Sequence, residues 1–284
     1  MELIYSFMEM VLPFSWIEFT FMKNAFLAIL MIAPLFGLIG TMIVNNKMSF
    51  FSDALGHSAL TGIAIGVMLG MDNYIISMMA FAILFAIGIS MIIQSGVSSS
   101  DTIIGVFSSS GVALGIVILS MNGGFSRYSS YLVGDVLSIT QKEIVSLALV
   151  LVIVLIVWFL SFNKLMLASL NSDLALSKQV NVVFYKNIFV LLVALIVTFS
   201  IKWVGMLIIN SLLVLPAASA KNVVNNIRDY HIVSVVFSLF SGITGLILSY
   251  YIGTSAGATI VLISSVIFFI TFFINTYKKN KFKN

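Results

Sequence analysis

The sequence predicts an all-α, polytopic transmembrane helical bundle of about 8–9 spans, and three observations carry that reading. Of 284 residues, 61% are hydrophobic and only 8% are charged, whereas a soluble domain carries about 25% charged residues. Apolar runs of roughly 20 residues, the length a helix needs to cross hydrocarbon, recur from Phe19 to Thr276, which favours helices over the short alternating strands of a barrel. The chain has no cysteine. That excludes disulfides, thiolate ligands and thiol redox chemistry, so any metal must be held by nitrogen and oxygen.

The elements follow in order. Residues 1–18 mix Glu2, Glu9 and Glu18 with Phe7, Trp16 and methionines around Pro13, which predicts an interfacial segment rather than a span. Nine apolar segments succeed it within one transmembrane domain, 19–276: residues 19–44, 51–70, 74–94, 102–121, 142–162, 186–201, 204–220, 232–251 and 257–276. The 186–220 region reads equally as one broken helix or two. Pro216 deprives its helix of a backbone donor and predicts a kink or an end there. The tail, 277–284, carries Lys278, Lys279, Lys281 and Lys283 directly after the last segment, which places the C-terminus in the cytoplasm. Counting back through nine spans puts Lys47, Lys164, Lys178, Lys186, Lys221 and Arg228 on the same side as the tail, against Lys23, Arg127, Lys142 and Lys202 outside. The excess of basic residues is therefore a topology signal, with an extracellular N-terminus.

Two connections stand out. The outer one, Asn122 to Asp135, is polar and aromatic. The inner one, residues 163–187, contains "NSDLALSK", where Asn171 or Ser172 can cap a short cytoplasmic helix with Asp173 in its first turn.

Chemistry concentrates in "FFSDALGHSALTGIAIG", residues 50–66. Asp53 and His57 are four apart, so on a helix they project about 40° from each other on one face. An ionised aspartate near the middle of a span costs about 2.5–3.5 kcal/mol and demands a partner. Carboxylate and imidazole bind divalent transition metals, and they also form hydrogen-bonded staples. Spacing alone leaves both readings open. Two ligands do not complete a tetrahedral site, so a metal reading requires a second pair from elsewhere in the chain or from a second copy. His231, beside Arg228 and Asp229 at a cytoplasmic boundary, reads as a solvated polar residue. Gly62, Gly66 and Gly70 line one side of the same helix and predict close packing. The scattered methionines read as packing residues. No G-x-x-x-x-G-K-[ST] and no H-E-x-x-H occurs, so the chain is not read as an enzyme and lacks a nucleotide motif of its own.

The 50–66 stretch resembles the second-helix signature of the zinc/manganese class of ATP-binding-cassette permeases, membrane subunits of bacterial metal-uptake importers. "SSDTIIGVFSSSGVALGIVI" (99–118), "YLVGDVLSIT" (131–140), "VGMLIINSLLVLPAASA" (204–220) and "GTSAGATIVLISSVIFF" (253–269) resemble that family's further blocks in the same order. The resemblance implies a multi-pass subunit of the bacterial cell membrane, homodimeric or pseudo-symmetric, with two cytoplasmic ATPase subunits that use ATP and an extracellular metal-binding protein. It implies no permanently bound cofactor, Zn²⁺ or Mn²⁺ as the transported ion, and Asp53 and His57 as its ligands. It further implies that Ser172, Asp173, Leu174, Ala175, Leu176, Ser177, Lys178 and Gln179 form the coupling region where an ATPase docks. Thr61 stands where many manganese-type members have proline, which tilts the reading to zinc. The alternatives are a manganese- or iron-specific permease of the same kind and a self-sufficient secondary carrier.

Overall fold

A computed structural model describes residues 1–12, 14–71, 73–121 and 136–281, with Lys202, Trp203 and Lys281 described by backbone alone. The outer connection 122–135, Arg127 and Lys283 lie outside the described residues, as do Pro13 and Asp72. The helices are α1 Glu2–Val11, α2 Thr20–Asn45, α3 Phe51–Met68, α4 Tyr74–Gln94, α5 Ser100–Met121, α6 Gln141–Leu170, α7 Ser172–Ser177, α8 Val182–Val204, α9 Met206–Val223, α10 Ile227–Ile252 and α11 Ala256–Lys281. Among the described residues, eight of these are long and apolar enough to cross a membrane: α2, α4, α5, α6, α8, α9, α10 and α11. The exception among the nine expected spans is α3. Its Ser52, Asp53, His57, Ser58 and Thr61 dilute its apolar character, and protein rather than lipid covers it: thirteen of its 18 residues are buried.

The chain divides into two compact units. In the unit formed by Met42–Gly134 and Val152–Lys202, α3 packs between α4 and α5. Small residues make those contacts possible. A Cβ on Gly62 would stand 2.6 Å from the Met78 Cα of α4, and one on Gly115 of α5 would stand 2.8 Å from the Thr61 hydroxyl of α3. Gly66 likewise abuts Ser77, as its spacing predicts, but Gly70 lies beyond the helix end at φ +66° with nothing near it. It ends α3 rather than packing it.

The other unit joins Met1–Thr41, Asp135–Leu151 and Trp203–Asn284. Here α9, α10 and α11 pack on one another, and Ser234 of α10 donates to the Gly37 carbonyl of α2 at 2.6 Å. The N-terminal segment docks on α2: Tyr5 donates to Asn24, and Glu9 pairs with the buried Lys23. The 186–220 region is two helices, because Gly205 adopts φ +84° between α8 and α9. Pro216 does not end its helix, which continues to Val223.

Candidate metal site on helix α3

From Phe51 to Ala64, every residue of α3 is buried except Asp53 and His57. Their side chains are 37% and 27% exposed, and His57 Nε2 stands 3.5 Å from Asp53 Oδ2. The face predicted from the i, i+4 spacing is therefore the only opening along this part of the helix. One expectation needs correction. Asp53 occupies the first turn of α3, not the middle of a span. There the positive end of the helix dipole stabilises a carboxylate.

The separation bears on the two readings left open by the sequence. At 3.5 Å the contact is too long to act as a firm staple, since charge-assisted N–H···O bonds run about 2.7–2.9 Å. Two ligands each about 2.0–2.1 Å from a tetrahedral zinc stand roughly 3.3 Å apart, close to the spacing already present. The other ring nitrogen, Nδ1, is buried and makes no hydrogen bond, which leaves Nε2 as the outward atom. Among the described residues, no cluster of three or more histidine, cysteine, aspartate or glutamate side chains exists to complete a shell. His231 sits in the first turns of α10, its Nδ1 2.8 Å from the Ile227 carbonyl, and its Nε2 is shielded from solvent, so the residue is less solvated than expected.

What the sequence did not reveal is how α3 is held. The Thr61 hydroxyl donates to the Gly111 carbonyl of α5, one turn beyond His57. The nearest sequence signal was the small-residue pair Gly111 and Gly115, spaced for close helix packing.

Within the 172–179 stretch, residues 172–177 form α7, with the Asn171 side chain accepting from the Leu174 N–H at 3.0 Å, and Lys178 and Gln179 turn out of the helix, Gln179 at φ +58°. Residues 163–170 are not loop, because α6 runs on to Leu170. Within α7, Leu174 and Leu176 are exposed, whereas Ala175 is fully buried against Ala168 and Val182. The surface offered to any partner therefore includes Leu174 and Leu176 beside the exposed Asp173, Ser177, Lys178 and Gln179, and excludes Ala175.

The sequence pattern of the ABC 3 transport family matches residues 18–275. The high-affinity zinc uptake system membrane protein ZnuB of Haemophilus influenzae is 30% identical, with the match covering 86% of this chain and 92% of that protein. The manganese transport system membrane protein MntC of Listeria monocytogenes is 29% identical over 90% of this chain and 91% of its own. Among solved structures, PsaBC from Streptococcus pneumoniae in complex with Fab superposes with a TM-score of 0.79 at 29% identity, covering 93% of this chain and 96% of that one. A putative metal-chelate type ABC transporter in an inward-facing conformation shares the fold, with a TM-score of 0.58 at 16% identity over 90% of this chain and 85% of that one. An apolar multi-helix chain matched over nearly its whole length has one consistent reading: it belongs to the ABC 3 transport family, as a membrane permease subunit of the zinc/manganese type.

Proposed function

We propose that this permease carries Zn²⁺, with Mn²⁺ second, into the cell, and that Asp53 and His57 from each of two copies form the four-ligand site through which the ion passes. The observation that carries the reading is the pair of outward atoms, 3.5 Å apart, on an otherwise buried helix. A set of two imidazoles and two carboxylates without thiolate suits tetrahedral zinc, while Mn²⁺ favours a larger oxygen shell. Thr61 supports zinc in the same direction: it keeps its backbone donor, and its hydroxyl ties α3 to α5. Relatives named for zinc and for manganese are about equally similar, so the choice of ion rests on the ligand chemistry.

Energy comes from a separate ATPase in this reading. It docks on residues 172–179, where Leu174 and Leu176 offer exposed apolar side chains at the end of a rigid connection. An extracellular metal-binding protein delivers the ion to the opposite side. The family assignment displaces the self-sufficient carrier. Competitive uptake of zinc, manganese and iron in cells with and without the gene tests the ion directly. Zinc uptake that depends on the gene and resists excess manganese is expected. Gene-dependent uptake of manganese with no response to zinc would reverse the assignment.

A further inference from the structure

A cavity of about 360 Å³ opens in the unit that contains α3, and neither Asp53 nor His57 lines it. This volume lies within the range of ligand pockets, about 300–1,000 Å³. Its walls come from the C-terminal ends of α2, α4 and α6 and the N-terminal ends of α5 and α8. Its polar lining comes from Lys186, Ser90, Asn46, Gln94, Ser100 and Ser169; the rest is apolar, including Ile93, Leu165 and Phe189.

The charge is what makes this space specific. Lys186 is half-buried and, among the described residues, is the only charged side chain in the lining, with no aspartate or glutamate beside it. The nearest acid in sequence, Asp101, is exposed and does not line the cavity. The lysine therefore favours an anion. The neighbouring amides are already fixed: Gln94 donates to Ser90 at 2.8 Å and to Asn187 at 3.0 Å, and Asn46 donates to the Met42 carbonyl at 2.9 Å. These bonds hold the polar wall in place and use up amide donors, so the lysine, the Ser100 hydroxyl and the buried Ser169 hydroxyl, which makes no hydrogen bond, remain to meet the ligand. A small inorganic anion would leave the apolar walls unfilled.

We propose that this cavity binds an anionic phospholipid, its phosphodiester on Lys186 and Ser100 and the start of its apolar portion against Ile93, Leu165 and Phe189. Basic pockets among helix ends on the cytoplasmic side are suited to such headgroups. The site has a direct route to α7. Ala168 and Val182 line the cavity and also form the small core that buries Ala175. An occupied cavity braces that core from behind and so steadies the α7 surface. This consequence rests on α7 being the docking helix, whereas binding itself does not.

The test uses the full chain with its ATPase, examined by native mass spectrometry after titration with phosphatidylglycerol, phosphatidylcholine or inorganic phosphate. Phosphatidylglycerol should be retained about fivefold better than phosphatidylcholine, a preference on the scale one lysine provides. Lys186→Gln should abolish the preference, Lys186→Arg should keep it, and Lys142→Gln, at an exposed position on α6, should leave it intact. Equal retention of the two lipids overturns the proposal, as does undiminished preference in a folded Lys186→Gln variant. Displacement of the lipid by millimolar inorganic phosphate also overturns it, because the apolar walls would then contribute nothing. ATPase activity with and without phosphatidylglycerol separates the two readings: lipid retention that depends on Lys186 but leaves hydrolysis unaltered removes the link to α7 and keeps the site.

Discussion

At Asp53 and His57, a ligand pair and a structural pair respond differently to the same substitution. An exposed ion pair is typically worth about 0.2–1 kcal/mol, so Asp53→Asn should leave thermal stability nearly unchanged. As a ligand change it should reduce zinc uptake at least about tenfold, since a neutral amide replaces a carboxylate. Normal uptake by Asp53→Asn would identify the pair as a staple. Protons compete with metal for an imidazole, so the metal affinity of the assembled permease should fall as pH is lowered, and the dependence should flatten in His57→Ala. These two residues were legible in the sequence because an i, i+4 aspartate and histidine in an apolar helix have few explanations. Thr61 was not, since its partner lies 50 residues away on another helix. Thr61→Val should cost about 1 kcal/mol of stability, the typical worth of one hydrogen bond, while zinc uptake persists.

Among the elements, α3 depends on close backbone approach. Gly62→Ala and Gly115→Ala would each force a Cβ to within 3 Å of a neighbouring helix, and overpacking of this kind costs about 1–3 kcal/mol. Both variants should melt earlier in detergent, and Gly70→Ala, in open space but at positive φ, should be affected only by its backbone. Helix α7 makes a separate prediction. Leu174→Glu and Leu176→Glu should weaken stimulation of the ATPase while the metal content of the permease is preserved. Ala175→Pro tests packing instead, because that residue is buried. The cap of α7 was readable from "NSDLALSK", yet the end of α6 was not. Asn163 and Lys164 suggested a loop, whereas a helix of 30 residues is roughly 45 Å long and carries such residues beyond the hydrocarbon. Leu165, Met166 and Ala168 are buried within it, which holds the last turns in place.

For the whole chain, the alternation of spans has a structural counterpart. Within one unit, the ends of α2, α4 and α6 and the beginnings of α5 and α8 meet around one cavity, as helices of alternating direction require. A cysteine at Lys178 should react with an impermeant reagent only in opened cells, and one at Ser126 should react in intact cells; outside labelling of position 178 would invert the topology. Segment 51–70 was readable as an apolar run, yet α3 falls short of the eight helices apolar enough to cross a membrane, because it carries the polar pair and is sheltered by its neighbours. If Asp53 and His57 are ligands, one chain offers only two of them, because no described cluster supplies more. The most direct measurement is therefore the zinc content of the purified permease with its ATPase, by elemental mass spectrometry, beside Asp53→Ala and His57→Ala. One ion for every two copies of the chain, lost in both variants at unchanged assembly, is the predicted result. One ion per chain, or zinc retained at the wild-type level in either variant, would contradict the shared site.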